Sequence, residues 1–512
     1  MSFISGLILA LLMLVAALVP RLLFFQENVS RWLLYPYFQA GSEGLMLSEA
    51  AIIRAGGSIY VPLRPDLFIS GPYPPLYYYL LAILWPLDQG TAAGFTVGRI
   101  ISLVAALMAA LFIVLLVMAE SRATRFVKLR WLNLGPGLVA GLAVGTLFLG
   151  MPAVTVWAVR VRADMLMVAL QMAGLVLIAR KPRQWQAFLA LLPLTLAFYT
   201  KHTGLAAPGA ALIFVALQNR RNWRRTLVWL VALIGTIGLP FLLLDLLTAN
   251  QFFLRLFPYH DLGRNNSNFE RYIELFWQEN AALMLMGLLL LVVTLCWPIK
   301  DSWLERLANV PLSGWFLLFS LPLLLGLGVV GTDHNHFLPT EAAGCAAAGV
   351  LLGRWLALPP RHKARWLALL VIGGLWVEAG VIPAQRYEIE FRPREADYQR
   401  QMGRIVLYAA NQPDPILTSE AGLLVLTNRS TNRYYYNDLF TLTALAHQGR
   451  YDSSGLLEAI QKKEFGLILA EGDLFTGEGI REDVWSPELV AAIRQNYQPK
   501  FRDIWFSYEP KS

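Results

Sequence analysis

Four polar clusters interrupt a sequence otherwise dominated by apolar residues, and each holds side chains able to do chemistry. The first is Gly41-Ser42-Glu43-Gly44, with Glu49 six residues beyond Glu43. A carboxylate held at a membrane–water boundary is poorly hydrated, so its pKa rises and it can take a proton, as a general base must. A solvated loop acid is the ordinary alternative. The second cluster is Arg160-Val161-Arg162-Ala163-Asp164. Two guanidiniums that cannot lose their charge call for a counter-anion, and a phosphate would serve. Asp164 equally suits the start of a helix, where the dipole favours negative charge. The third is Thr200-Lys201-His202-Thr203, between apolar runs so close that Lys201 must lie near the membrane plane. An ionisable residue there is a functional candidate, although a lysine can also snorkel to the interface. The fourth is Asp333-His334-Asn335-His336. Histidines at i and i+2 are weak metal spacing without an evident third ligand. Hydrogen bonding to a bound polar head suits them better, and a divalent metal stays open as a cofactor. Tyr259-His260-Asp261 and Arg264 are weaker candidates of the same kind.

The elements that must position these clusters follow from composition. The chain has 512 residues, 56% hydrophobic and 15% charged, and a mean hydropathy of +0.49. Soluble domains carry about 25% charge. No aqueous core absorbs such an excess of apolar residues, so lipid must solvate much of the chain. The net charge of +8 does not indicate nucleic acid, because the basic residues are spread over short loops between apolar segments. Cys296 and Cys345 both fall in apolar segments and define neither a disulfide framework nor a metal site. The apolar run from Phe3 to Val19 is too long for a signal-peptide core, lacks a basic n-region and precedes no small-residue cleavage site. It reads as a membrane helix.

A span needs about 20 apolar residues, down to about 17. About eleven candidates result: 3–24, 97–119, 134–157, 163–179, 185–200, 203–218, 226–247, 281–299, 312–330, 337–353 and 366–383. Alternate loops are basic: Arg122 to Arg130, Arg180 to Arg183, Arg220 to Arg225, Lys300 with Arg306, and Arg354 to Arg365. The positive-inside rule makes their side cytoplasmic, starts the N-terminus inside and leaves the C-terminal tail outside. The expected outer parts are a long loop over 25–96, a second over roughly 248–280 and the tail 384–512. Pro74 to Trp85 is apolar but too short to span, and its tyrosines suggest an interfacial helix.

The tail reads as a small α/β domain after a membrane domain over 1–383. Strands are expected at Ile405–Ala409, Ile416–Thr418, Leu423–Leu426 and Phe465–Ala470, and helices at Leu439–His447, Ser454–Lys462 and Pro487–Tyr497. It shows no nucleophile constellation and no Gly-rich phosphate loop, so a non-catalytic role is expected, binding acceptor, partner or cell wall. The fold class is therefore mainly α, a polytopic membrane protein with a small C-terminal extracytoplasmic α/β domain.

The ordered set Ser42-Glu43-Gly44, Gly56-Gly57-Ser58-Ile59-Tyr60, Tyr73-Pro74-Pro75-Leu76-Tyr77-Tyr78-Tyr79, Gly98-Arg99, Arg162-Ala163-Asp164 and Thr200-Lys201-His202 resembles the GT-C superfamily of polyprenyl-phosphate-sugar-dependent glycosyltransferases. Within it the likeness is to the branch of the aminoarabinose transferases and protein O-mannosyltransferases, over about residues 1–380. The resemblance implies a cell-envelope enzyme of the plasma membrane. Its donor would be a polyprenyl-phosphate sugar drawn from membrane lipid, its acceptor a glycan, lipid or protein, and no nucleic acid would be involved. An acid of the first outer loop would deprotonate the acceptor hydroxyl, which attacks the anomeric carbon with inversion. Glu43 and Asp164 are then the expected catalytic acids. Arg160, Arg162, Lys201 and His202 are expected at the donor phosphate. Tyr73, Arg264, His334, Asn335 and His336 are further substrate-site candidates.

Two departures from the family pattern stand out. Many relatives carry Asp-Glu at Ser42-Glu43, with Asp as base, so Glu43 or Asp164 would take that role. Some carry Lys before the Pro-Pro pair, where this chain has Tyr73, so Arg162, Lys201 or a histidine would replace it. A catalytically degenerate lipid-binding or transport protein is the alternative. Transport is disfavoured by the absence of a repeat and by charges gathered at outer helix ends.

Overall fold

The computed structural model describes residues 3–86, 90–121, 134–180, 182–296, 302–358, 396–429, 434–502 and 504–512. The chain opens with α1 (Phe3–Trp32), α2 (Gly41–Arg54), strand β1 (Leu67–Phe68), α3 (Leu76–Leu84) and α4 (Ala93–Glu120). Next come α5 (Leu134–Leu149), α6 (Pro152–Trp157), α7 (Asp164–Arg180), α8 (Leu191–Thr200), α9 (Ala206–Gln218) and α10 (Trp223–Leu247). Among the described residues the chain continues with α11 (Gln251–Leu256), α12 (Asn266–Cys296), α13 (Trp303–Asn309), α14 (Leu312–Ser320) and α15 (Phe337–Leu356).

Small residues bring the bundle helices close. A Cβ on Gly145 of α5 would lie 3.1 Å from the Ala110 carbonyl oxygen of α4, and one on Gly353 of α15 would lie 2.3 Å from Ser121 Oγ. Such stripes let membrane helices pack backbone to backbone, where dispersion replaces the hydrophobic effect as the driving force. On the other side α10 is a lipid-facing helix, with only 11% of its apolar stretch buried and Val231, Leu239, Leu242 and Leu246 exposed. The protein is a multi-pass membrane protein.

By length and composition α4, α10 and α12 can each cross a bilayer among the described residues. A fourth span results if α13 and the helical stretch Leu312–Gly328 count as one despite an 88° bend. Several expected spans are broken. The span expected at 134–157 divides at Gly150 and Met151, because Pro152 cannot continue a helix and instead opens α6 at its first turn. The span expected at 312–330 tightens after Ser320 into a 3-10 stretch, Leu321–Gly328, with Pro322 in its first turn. The eleventh expected span, 366–383, and the expected boundary between 383 and 384 lie outside the described residues.

The C-terminal part holds α16 (Ala396–Ala410), β2 (Ile416–Thr418), α17 (Ala421–Leu426), β3 (Tyr435–Tyr436), α18 (Leu439–His447), α19 (Ser454–Gln461), β4 (Leu467–Ala470), α20 (Pro487–Asn496), β5 (Tyr497–Arg502) and β6 (Phe506–Pro510). Its sheet runs β2-β4-β6-β5, parallel between β2 and β4 and antiparallel elsewhere. The strands expected at 416–418 and 465–470 and all three expected helices form. Two expectations are corrected, since Ile405–Ala409 and Leu423–Leu426 are helical. In α16 Met402, Ile405 and Ala409 are buried while Leu407 is exposed, a helical stripe. In α17 every residue from Ala421 to Val425 is buried, so its apolar run carries no period to read. The hairpin β5–β6 has no counterpart among the sequence expectations.

The C-terminal domain is fused to the first long loop. β1 pairs in parallel with β3, Leu67 opposite Tyr435 and Phe68 opposite Tyr436. One hydrophobic cluster joins Met46 and Leu47 of α2 and Tyr77 and Leu81 of α3 to Ile405, Leu423 and Trp505. α17 crosses α2 where both lack side chains. A Cβ on Gly44 would lie 2.0 Å from the Gly422 nitrogen, closer than any packed atom can come.

Candidate functional site

A cavity of about 380 Å³ opens between the helical bundle and the C-terminal domain. Of the residues expected at a site, Tyr73, Arg162, Lys201, Asn335 and His336 line it. Breaks between helices put them there. α8 stops at Thr200, and Lys201 is extended, with φ −155°, before the 3-10 turn His202–Leu205. Arg162 lies in the segment between α6 and α7, whose carbonyls at Arg160 and Arg162 accept from Ser102 Oγ at 2.6 and 3.3 Å. Asn335 and His336 occupy the 3-10 turn before α15.

Asp164, the first residue of α7, organises this floor from behind. Its Oδ1 accepts from Lys201 Nζ at 2.6 Å and from Asn335 Nδ2 at 2.8 Å, and its Oδ2 lies 3.5 Å from Arg162 Nε. Arg162 Nη2 also donates to the Tyr73 hydroxyl at 2.5 Å. The Tyr73 ring lies 5.1 Å from the Arg162 guanidinium and 5.3 Å from the Lys201 ammonium, so its face bears on both cations. Two cations against one carboxylate leave the cluster with a surplus positive charge. Burial, with the nearby Lys201 and Arg162 charges, pulls the His260 imidazole down to about 4. Burial and Lys201 likewise hold His336 at about 4. At neutral pH both are therefore uncharged hydrogen-bonding groups on the cavity wall.

Other expected residues are placed elsewhere. Glu43 is fully buried and absent from the cavity wall. Its two oxygens accept from Arg99 at 3.1 and 2.9 Å, from the Gln39 amide at 2.6 Å and from the Val161 amide at 2.9 Å. Arg99 is equally buried and also donates to the carbonyls of Trp32, Tyr35 and Tyr37. Glu43, expected as a catalytic acid, does not line the cavity; with Arg99 it forms a buried pair tying the start of the first long loop to α4.

Arg160 stacks on Trp157, with its guanidinium 4.9 Å from the ring, and reaches Asp333 at 3.7 Å. His334 turns to Asp333 Oδ1 at 2.5 Å, His202 packs on His260 with ring centroids 5.1 Å apart, and Arg264 Nη2 donates to the Leu325 carbonyl at 3.3 Å. These four brace the walls and do not line the cavity. Asp333 does line it. Burial pushes its carboxyl up, but His334 and Arg160 outweigh that and hold it well below the usual carboxylate range.

Glu49 joins the two halves of the molecule. It accepts from the Gly71 amide at 2.6 Å and from Asn437 Nδ2 at 3.4 Å. Burial, partly offset by these bonds, raises its carboxyl to about 7. The cavity roof was not anticipated at all. It comprises Glu420, Asn437, Asp438, Glu471 and Arg481 from the C-terminal domain. Glu420 went unnoticed because it sits beside an apolar run read as a strand, although an acid just before such a run is the signal of a helix cap.

An apolar groove of about 400 Å³ runs between α9 and α10, lined by Leu205, Pro208, Leu212, Leu233 and Ile237 among others. It begins four residues beyond Lys201. Among the described residues no group of three or more His, Cys, Asp or Glu is placed to hold a metal ion.

No family model matches the sequence and no curated protein matches it. Solved structures match the fold. ArnT from Cupriavidus metallidurans bound to undecaprenyl phosphate superposes with a TM-score of 0.58 over 95% of this chain and 97% of its own. The apo state of ArnT gives 0.55 over 99% and 98%. The oligosaccharyltransferase of Archaeoglobus fulgidus, in complex with Zn and sulfate, gives 0.51 over 97% of this chain and 73% of its own. Sequence identity is 14% to each. The fold is that of these two solved proteins.

Proposed function

We propose that this GT-C-fold membrane protein is a glycosyltransferase that moves a sugar from a polyprenyl-phosphate donor to an acceptor hydroxyl, with inversion. The observation that carries the reading is the Arg162–Lys201 pair on the cavity floor, held by Asp164 and Asn335. When the anomeric C–O bond breaks, negative charge collects on the departing lipid phosphate. Fixed cations in a site shielded from water stabilise that charge without reorganising. Asp164 acts as the positioning residue that aims them, through its contacts to Lys201, Asn335 and Arg162. Uncharged His260 and His336 hydrogen-bond the sugar or phosphate. The groove between α9 and α10 takes the first isoprene units of the donor. Undecaprenyl phosphate on ArnT supports this donor class. The basic loops support a cavity on the extracytoplasmic side of the plasma membrane, where a glycan, lipid or protein would be the acceptor.

The test is label leaving the donor. Acceptor-containing membranes with the wild-type protein receive a panel of radiolabelled polyprenyl-phosphate sugars, beside a Lys201→Gln variant. Transfer from one donor is expected, reduced at least about 100-fold in the variant, the scale for losing one such stabilising group. Binding of polyprenyl phosphate with no transfer from any donor would overturn the enzyme reading and leave a lipid-binding protein.

A further inference from the structure

We infer that the Nε2 lone pair of His336 accepts a hydrogen bond from a hydroxyl of the donor sugar and selects sugars that carry that hydroxyl. The inference rests on the glycosyltransferase reading and names a sugar contact that the reading leaves open. His336 is the last residue of the 3-10 turn before α15 and lines the cavity. Its neighbour Asn335 donates to Asp164 at 2.8 Å, and Asp164 accepts from Lys201 at 2.6 Å. The imidazole therefore stands beside the cations assigned to the donor phosphate. In a polyprenyl-phosphate sugar, the group bonded to that phosphate on the side away from the isoprene chain is the sugar.

The ring's contacts fix which nitrogen carries the proton. Nδ1 lies 3.2 Å from the Leu323 carbonyl oxygen, and a carbonyl oxygen only accepts, so Nδ1 holds the hydrogen. The ring also lies against Gly326, where a Cβ would be 2.8 Å from both Nδ1 and Cε1. The missing side chain lets the imidazole seat on the 3-10 stretch Leu321–Gly328, which supplies both contacts. Burial and Lys201 hold the group at about 4, so at pH 7 the ring is neutral and Nε2 is an acceptor with nothing to donate. Nε2 has no hydrogen-bond partner among the described residues, and they do not enclose it.

Chemistry then limits what Nε2 meets in the bound donor. A phosphodiester is an anion without a proton, so it has nothing to give an acceptor, and its charge repels the lone pair. The isoprene chain has no polar hydrogen. Within the donor, the sugar hydroxyls alone donate. Arg162 and Lys201 are the converse, since their side chains only donate. The cavity floor is thus divided, with cations for the phosphate and an acceptor for a sugar hydroxyl. When the bound sugar shuts water out of that spot, a deoxygenated position leaves Nε2 unpaired, and the site rejects it.

The experiment measures ligand binding to purified full-length protein with no acceptor present, so that a contact to the acceptor hydroxyl does not register. The ligands are the donor identified by the label screen, its monodeoxy analogues, and polyprenyl phosphate without sugar. The proteins are wild type, His336→Phe and His336→Gln. One monodeoxy analogue should bind wild type about tenfold more weakly than the donor, the scale of one well-made neutral hydrogen bond. His336→Phe should bind the donor and that analogue equally. It should bind polyprenyl phosphate as wild type does, which also shows that it is folded. Glutamine carries an amide oxygen to about the reach of Nε2, so His336→Gln should recover part of the discrimination. An equal loss of donor, analogue and polyprenyl phosphate in His336→Phe would overturn the assignment, as the pattern of a structural role or of a phosphate contact. So would a wild type that binds every analogue as well as the donor. A wild type that transfers from no donor would refute the parent reading and this one together, whereas an active wild type with His336→Phe equally selective refutes this one alone.

Discussion

Partners decide what a carboxylate does, and three acids of this protein illustrate it. Glu43, Asp164 and Glu420 are all buried, yet Glu43 faces a guanidinium, Asp164 an ammonium and an amide, and Glu420 the Gly422 backbone amide at the cavity wall. Glu43→Gln leaves Arg99 buried without its counter-charge. Breaking such a pair costs about 3–5 kcal/mol. A clear drop in the thermal unfolding midpoint in detergent is expected, with little change in kcat for the molecules that remain folded. An unchanged midpoint with transfer abolished would return Glu43 to the chemistry. Arg162 and Lys201 were legible in the sequence because a cation beside an apolar run has few reasons to be there. The division among acids was not, since it depends on Arg99, which follows Glu43 by 56 residues, and on a domain that arrives some 380 residues later.

At the scale of elements, the site depends on where helices stop. α6 ends at Trp157 and α8 at Thr200, and these stops leave Arg162 and Lys201 outside helical geometry. The other controlling contact is the crossing of α2 and α17 at Gly44 and Gly422. Gly44→Val has no room, because the nearest atoms are backbone. Overpacking of this kind costs typically about 1–3 kcal/mol, and here it acts on the crossing that sets α17 against α2. Limited proteolysis should cut Gly44→Val ahead of α17 faster than wild type, and transfer should fall although no charged residue has changed. Equal cleavage and equal transfer would show the crossing to be unimportant. Element type was legible where the pattern carried a period, as in α18 and α20. It was misread at α16 and α17, where a short apolar run fits strand and helix alike.

At the scale of the molecule, orientation is the open quantity that function depends on, since donor and acceptor must meet on one side. The basic loops predict that the C-terminal domain faces away from the cytoplasm. A C-terminal alkaline phosphatase fusion should be active in intact cells and a C-terminal green fluorescent protein fusion dark. A fluorescent fusion would invert the topology and place the cavity on the cytoplasmic side. The hydrophobic cluster shared by α2, α3 and the C-terminal domain packs that domain onto the first long loop. It is no tethered accessory.

Composition and local pattern were enough to establish a membrane protein, its basic loops, most of the sheet domain's helices and the cations of the site, because each follows from solvent preference or from residues near in sequence. Which acid faces the cavity, that β1 pairs with β3, and that a roof of Glu420, Asn437 and Asp438 closes over Arg162 and Lys201 depend on contacts across hundreds of residues. Such contacts are selected by packing volume and by the mutual neutralisation of buried charges. Neither leaves a period or a spacing in the chain.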